Sequence, residues 1–566
     1  MSVDYDVCVI GSGAGAGPIA LTLTEAGYSV VVLEKGPWFS EDDFFKDELA
    51  CCLRKVYTSN MRKEPQVAEQ EDDDGNWHSA PTWRSSLNFW NGNCVGGSSN
   101  FMSGYFHRLK PIDFKLLSTF GPIEGANMVD WPIDYDELEP YYDKVERVVG
   151  VSGRALEHPH AEPRSSRDFP YPPLREHPIA EHIDKACEKL GMFPFPTPRA
   201  ILSHSGVDSA AGRGGCNYSG YCGSYGCSTG AKGSSRAALL KRAVATGRCQ
   251  IRPHAMVTHL RSNQKGKVEA VEYRDKNGTK QRVDASIYVV ACQAIESARL
   301  LLNSVGPKHK NGLANANNLV GKNLLFAGGG SGSGMLPYEL FKERAAEAHD
   351  VGPFINRALQ DWYIIDDKAF GPRQKGGTID FVHIHPNPVP RAARQIRSRG
   401  GLVWGKPLKR RLESHFGDGL YVKLEAFCDW SPVDDCFIRL DPQLKDQWGL
   451  PVARVRTGFH VRNLQVGWYL AAKGADVLRE MGAEGVVSFA VGKPPTNLVA
   501  GTCRFGNDPA TSVLDANCRA HDVENLYVSD GSFMPNAGSA PFTWTIYANA
   551  FRVADKIVDQ LGGVKS

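Results

Sequence analysis

The chain of 566 residues has no uninterrupted run of about 18 apolar residues, which excludes a membrane-spanning helix. It also has little excess of either charge: 65 Lys and Arg face 63 Asp and Glu, for a formal charge of +2. So small a net charge gives no general electrostatic case for nucleic acid or an acidic membrane surface, and leaves only local patches. There is no internal repeat and no C-x-x-C-H, so no c-type haem is attached. No basic stretch precedes the first apolar run in MSVDYDVCVIGSG, and the expectation is that the chain carries no signal peptide of its own. Fourteen cysteines are many for a cytosolic enzyme, yet at this length they do not indicate a disulfide-stapled miniature fold. What is there is ordinary globular composition, 42% hydrophobic and 23% charged, which argues against wholesale disorder. The length suits three or four units, or two large interleaved ones.

The first forty residues are the most informative. Asp6–Ile10 is a short apolar run, followed at once by Gly11, Gly13, Gly15 and Gly17, a helical stretch Ile19–Ala26, a stop at Gly27 and a second strand Ser29–Leu33 ending at Glu34. This is a βαβ start with a dinucleotide fingerprint in its proper context. Gly11 permits the tight turn, Gly13 lets the backbone approach a pyrophosphate, and Ala16 is small enough for close helix–strand packing. The helix N-terminus offers free N–H groups to that anion. Glu34, 23 residues after Gly11, is placed to accept hydrogen bonds from ribose hydroxyls. The pattern leaves FAD and NAD both open.

Further along, residues 41–90 are charged and aromatic, and the acidic cluster Glu69–Asp74 reads as a solvated loop. Asn91–Gly104 is a second small-residue segment suited to close approach of a ligand. Residues 155–180, rich in Pro and His, read as a surface excursion. Residues 250–303 alternate like strands and end in a buried strand running into a helix, a return to the nucleotide-binding sheet. Thr378–His385, Leu420–Ala426 and Cys436–Leu440 are expected to form an antiparallel sheet in a second domain. Leu526 begins another strand and turn, before a closing helix at about Thr545–Leu561. The expected architecture is an α/β Rossmann-like dinucleotide domain (1–130, 215–325 and 495–566) interleaved with an α+β substrate domain containing the antiparallel sheet (131–214 and 326–494). Cys216, Cys222 and Cys227 occupy a Gly/Ser/Tyr-rich loop at 215–234. Thiolates so spaced can converge on a soft metal or an iron–sulfur cluster. The alternatives are incidental thiols in a glycine-rich loop, or a disulfide in an exported protein. No histidine at close spacing completes a zinc set.

Taken together, several blocks resemble the glucose–methanol–choline (GMC) oxidoreductases, which are FAD enzymes. They are GSGAGAG with Glu34, Cys94–Ser99, Ala291–Leu302, Gly501–Gly506, Leu526–Pro535 and Thr545–Asp555, in family order along essentially the whole chain. His107–Phe114, Trp131–Tyr142 and the cysteine segment resemble more narrowly the catalytic subunits of bacterial flavin dehydrogenases acting on gluconate, fructose or glucose. The resemblance implies FAD contacts at Gly11, Gly13, Ala16, Glu34, Asn93, Gly96, Gly97, Ser98, Asn100, Val257, Asp530 and Gly531, with Phe542 and Thr543 near the flavin pyrimidine edge. It implies a [3Fe-4S] cluster on the three cysteines, although some relatives have another cysteine where Ser219 stands. It also implies partners, a small subunit and a cytochrome or other electron acceptor. Location is therefore open: cytoplasmic, unless the chain is exported to the periplasm with a signal-bearing partner.

Flavin oxidation of an alcohol needs a base for the hydroxyl proton. The family's usual histidine position, three residues before G-T-C-R, holds Leu498, and its partner position holds Pro541. Neither can take a proton. Asn497 can bind a substrate oxygen, but a neutral amide is no base. His383 and His385 alternate on an expected strand and would share one face of it, so they are the replacement candidates, with Glu425 behind them. Tyr547 is expected to pack in the terminal helix. Three readings follow: a dehydrogenase of an alcohol, sugar or polyol, passing electrons through the cluster to an external acceptor; a flavoenzyme with changed chemistry, such as desaturation of a non-alcohol substrate; or a non-catalytic electron-transfer subunit.

Overall fold

The computed structural model of the chain describes residues 3–85, 87, 89, 91–155, 158–204, 212–383, 387–398, 400–491 and 498–565. Two five-stranded sheets are built from β1 (Tyr5–Ile10), β2 (Val30–Leu33), β3 (Cys249–Arg252), β4 (Ala285–Val290), β5 (Gly328–Pro337), β6 (Arg357–Leu359), β7 (Gly377–His383), β8 (Gly419–Cys428), β9 (Glu484–Ala490) and β10 (Leu526–Val528). The first sheet has the order β10-β4-β1-β2-β3 and is parallel throughout. Apart from the edge strand β3, its strands are short and rich in Val, Ile and Leu, and largely buried on both faces, as a covered parallel sheet requires. Strands far apart in sequence assemble it, and their carboxyl ends at Ile10, Leu33, Val290 and Val528 share one edge, where α/β sheets open a ligand crevice.

The second sheet, β6-β7-β8-β5-β9, is antiparallel. One face is apolar: Ile379, Phe381, Val422 and Leu424 pack with Val466, Leu470 and Val477 of helix Val461–Glu480. Helix and sheet come very close here. A Cβ on Gly467 would lie 2.1 Å from the Gly329 carbonyl oxygen, so only glycine fits.

Two expectations need correction. Cys436–Leu440 is a strand, extended to Lys445, but it belongs to a separate four-stranded sheet with Pro451–Thr457, Val67–Glu71 and Trp77–Pro81. And Glu69, read as part of a solvated loop, lies buried in that sheet, its carboxylate bridging Arg439 (2.9 Å), Arg454 (3.1 Å) and Arg456 (3.1 Å). Burial works against its charge, yet hydrogen bonds from Arg456 and Arg454 hold the carboxyl below its ordinary range. The three arginines, contributed from about 370 residues away in sequence, could not be read from the local acidic run.

Candidate functional site

A cavity of about 780 Å³ lies between the parallel sheet's glycine loop and the antiparallel sheet. Its floor follows from backbone sterics. Gly11 leaves β1 at φ +91°, and a Cβ there would sit 2.3 Å from the Ala291 carbonyl oxygen. At Gly15 it would lie 2.6 Å from that of Ser529. Gly13 differs: a Cβ there meets nothing within 4 Å. Gly11 and Gly15 are thus small because protein packs on them, and Gly13 because the cavity opens onto it. The helix Gly17–Glu25 that follows has no side-chain cap; its Gly17 N–H donates to the Gly13 carbonyl (3.2 Å) and Pro18 has no N–H, so what this end offers an anion is chiefly its positive dipole.

Two buried carboxylates flank the loop. Glu34 accepts from the Ser12 hydroxyl (2.5 Å) and the Gly36 N–H (2.8 Å). Asp530 accepts from the Gln293 N–H (3.0 Å), the Ser297 hydroxyl (2.5 Å) and the Ser532 N–H (2.8 Å). Burial raises both carboxyls above their ordinary range despite these donors. A carboxylate has about four lone-pair sites, so Glu34 keeps acceptor capacity for ribose hydroxyls. An open cradle, an uncapped helix end and a buried carboxylate with spare acceptors fit a dinucleotide.

Of the residues expected to contact it, Gly11, Gly13, Glu34, Gly97, Ser98, Val257, Asp530, Gly531, Phe542 and Thr543 all line the cavity. Ala16, Asn93, Gly96 and Asn100 do not; they hold its walls. Ala16 is buried against the sheet. The Gly96 N–H donates to the Ser12 hydroxyl (2.9 Å). The Asn100 amide donates to the carbonyls of Val95 (2.9 Å) and Gly97 (3.1 Å), and the Asn93 N–H donates to the Tyr57 carbonyl.

The roof is the other face of the antiparallel sheet. Ser331 on β5 stands opposite Glu425 on β8, which stands opposite Asp380 on β7, so the three form one row. Glu425, Lys423 and Ser331 line the cavity together with Leu498 and Pro541. The Lys423 ammonium donates to Glu425 at 2.6 Å. Asp380 is fully buried and meets His107 (3.1 Å) and Thr197 (3.3 Å), tying the sheet to the segment that follows Asn91–Gly104. Tyr105 of that segment lines the cavity with the Arg199 guanidinium 3.9 Å from its ring centre. Burial pushes its phenol up, against the pull of the Arg199 guanidinium.

His383 is not among the residues lining this cavity. It follows Ile379 and Phe381 at two-residue spacing, and those side chains pack on the helix; the ring of His383 stacks on His177 at 5.0 Å. The alternation holds, but its phase puts Glu425, which lines the cavity, and the buried Asp380 on one face of the sheet and His383 on the other. His385 and Asn497 lie outside the described residues. Sequence reasoning missed Lys423, Ser331 and Tyr105; the apolar phase of Ile379 and Phe381 was the signal that could have found the roof. Tyr547 packs in the closing helix, its hydroxyl donating to the Gly233 carbonyl (3.2 Å).

Cys216, Cys222 and Cys227 line one small cavity of about 40 Å³. All three are unpaired thiols. Burial raises Cys216 to about 12. At Cys227 burial acts in the same sense, but the Lys232 ammonium and hydrogen bonds from Thr229 and Lys232 bring the thiol below its ordinary value. Lys232 also donates to the carbonyls of Cys222 (3.1 Å), Tyr225 (3.0 Å) and Asn100 (3.2 Å), joining this loop to the large cavity's wall. Gly223 and Ser224, next to Cys222, line the large cavity itself. Among the described residues, no three His, Cys, Asp or Glu side chains stand ready to hold a single metal ion.

Models of the GMC oxidoreductase family match residues 78–326 and 432–550. The chain is 32% identical to 6'''-hydroxyparomomycin C oxidase of Streptomyces lividus, over 98% of its own length and 92% of that protein. It is 26% identical to the fructose dehydrogenase large subunit of Gluconobacter japonicus, over 99% of each. Among solved structures, formate oxidase of Aspergillus oryzae superposes with a TM-score of 0.65 at 15% identity, covering 98% of both chains, a likeness of fold alone.

Proposed function

The chain belongs to the GMC oxidoreductases, FAD-dependent enzymes, and from that premise we propose that it oxidises a hydroxyl-bearing carbon of an alcohol, sugar or polyol, with Glu425 accepting the hydroxyl proton. The observation that carries this reading is the roof: Glu425, paired with Lys423, faces the cavity at whose other side Gly13 opens, while Leu498 and Pro541 offer it no titratable group. Gly13, Glu34 and Asp530 would hold FAD, which when bound supplies the acceptor for the hydride leaving the carbinol carbon. Lys423, donating to Glu425 at 2.6 Å, fixes the orientation of its carboxylate and leaves the other oxygen to accept a proton. Ser331, beside Glu425 on the next strand, offers a hydroxyl to orient a substrate oxygen. Leu498, Pro541, Phe489 and Val491 make the rest of the wall apolar and exclude water from the exchange. The two curated relatives are named for 6'''-hydroxyparomomycin C and for fructose, compounds that carry hydroxyl groups, which supports the substrate class.

Glu425→Gln tests the role. Under anaerobic mixing with a reactive alcohol or sugar, flavin bleaching should slow by about 10²–10⁴-fold with flavin content unchanged. An unchanged rate and pH profile would assign the proton to another group. The apolar pair Leu498 and Pro541 also favours a second reading, oxidation at carbon as in desaturation; bleaching by a non-alcohol donor alone would select it. If the flavin is chemically reducible but no donor bleaches it, the chain is an electron-transfer subunit.

We further propose that Cys216, Cys222 and Cys227 hold a [3Fe-4S] cluster, which would supply a one-electron carrier beside the flavin site. Three thiols lining one small cavity, with the Lys46 and Lys232 amines at its wall, support this reading. A cluster's thiolates stand farther apart than the ligands of one ion, because several irons lie between them. Such a carrier requires an external acceptor, and a small subunit with a cytochrome is the partner arrangement proposed. Iron and acid-labile sulfide assayed beside the electron paramagnetic resonance spectrum decide it: a three-iron signal supports the cluster, and flavin without iron leaves the cysteines structural.

A further inference from the structure

The net charge of +2 conceals a strong local asymmetry. Between residues 387 and 417, the described residues include seven Lys and Arg and one acid, Glu413, so the remainder of the molecule is net negative. The segment protrudes. Helix Pro388–Gln395 leads into a two-residue hairpin, Arg397–Ser398 against Gly401–Leu402, and then into helix Gly405–Gly417, which has no fully buried residue. The pieces are tied to one another: Arg411 donates to the Gln395 side chain (3.0 Å) and to the Arg397 carbonyl (3.1 Å), and the Arg391 guanidinium lies 4.9 Å from the Phe416 ring centre. His415, packed on Tyr421 at 4.8 Å, is held below the ordinary imidazole value by burial and by Arg391, Arg394 and Arg411. The tip of this basic unit is apolar. Trp404 is 79% exposed and Leu402 71% exposed, with Ile396 exposed beside them.

We propose that this excursion is a docking surface for an anionic lipid bilayer, with Trp404 and Leu402 entering the headgroup region and Lys406, Lys409 and Arg410 lying among the lipid phosphates. Charge selects the occupant: a cationic unit on an otherwise acidic molecule is drawn to a negative surface in one orientation only. The exposed indole favours a bilayer over an acidic protein or a polynucleotide, because an aromatic ring with a polar N–H suits the boundary between headgroups and acyl chains. Two long exposed apolar side chains within a ring of cations are otherwise a solubility liability. Attachment is peripheral, since among the described residues no helix is long and apolar enough to cross a membrane.

The test is co-sedimentation of the flavin-loaded protein with vesicles of phosphatidylglycerol and phosphatidylcholine, against vesicles of phosphatidylcholine alone. Binding is expected only to the first, and should fall away towards about 1 M salt, where the Debye length is about 3 Å. Replacing Lys406, Lys409 and Arg410 together by Gln should weaken it on the order of 100-fold. The pair Trp404→Ser and Leu402→Ser should remove the blue shift of tryptophan emission that accompanies binding. Flavin content and turnover of a soluble substrate should be unchanged in both variants, which shows that they are folded. Equal binding to both vesicles, binding unaffected by either variant, or no binding would overturn the proposal. Retention on heparin without partition onto vesicles would overturn it too, in favour of a polyanionic partner.

Discussion

The two walls of the cavity are made from different parts of the polypeptide. On the parallel sheet, Gly11 and Gly15 press on carbonyl oxygens at distances that leave no room for a Cβ, and the surface that the glycine loop turns to a ligand is backbone. On the antiparallel sheet, Ser331, Lys423 and Glu425 reach the cavity with side chains, carried on strands whose other face is packed by a helix. A surface made of backbone constrains residue size at fixed spacing, and so leaves its mark in any sequence that builds it. A surface made of side chains on a sheet constrains only alternation, and its chemistry can change without changing the fold.

That contrast can be broken most sharply at the glycines. Gly11→Ala should yield little folded protein, because a left-handed φ and a carbonyl at 2.3 Å both oppose it; destabilisation should exceed about 3 kcal/mol by denaturant unfolding. Gly13→Ala, with open space around its Cβ, should leave the apoprotein within about 0.5 kcal/mol of the parent, yet purify with little FAD. If Gly13→Ala kept its full flavin absorbance, the cradle would lie elsewhere. On the roof the prediction inverts: Glu425→Gln should spare folding and flavin content while slowing reduction by about 10²–10⁴-fold. Size governs one wall and proton affinity the other.

The same contrast explains what could be read before the structure. The fingerprint from Gly11 to Glu34 was legible because each step has a local steric cause: turn, approach, helix start, second strand. The return of β4 and β10 to the parallel sheet was legible through buried apolar runs and through the blocks Ala291–Leu302 and Leu526–Pro535, the latter matched by resemblance rather than by physics. His383 was misplaced for a plain reason. A two-residue period says which residues share a face but not which way it looks, and the partner that decides this, helix Val461–Glu480, begins 78 residues later. Glu69 failed in the same way, because its arginines are remote in sequence.

Glu69 sharpens the comparison by separating structural charge from chemical charge. It is buried like Glu34, but it faces three arginines rather than a cavity. Glu69→Ala should cost about 3 kcal/mol, since it leaves the guanidinium groups of Arg454 and Arg456 beside one another without their shared carboxylate. Thermal unfolding should register this loss, with the rate of flavin reduction at low temperature unaffected. A slower reductive step with unchanged stability would instead place Glu69 in the chemistry.

The smallest effect expected lies where the two walls meet. Asp429, just beyond β8, accepts the N–H groups of Ala537 (2.8 Å) and Gly538 (3.0 Å), and so anchors the loop that delivers Pro541, Phe542 and Thr543 to the cavity. Burial pushes its carboxyl up to about 6, against the pull of Lys375. An unfolded aspartate titrates near about 3.9, so between these values the folded chain holds a proton that the unfolded chain has released. This contribution to stability is therefore full below about pH 4 and is lost as pH rises through about 6, a change on the order of 1–3 kcal/mol. Asp429→Asn keeps an acceptor for both N–H groups and cannot ionise, so its melting temperature should fall less than the parent's between about pH 5 and pH 7. Parallel curves for the two proteins would mean that Asp429 does not titrate in this range, and that the loop is held without regard to its charge.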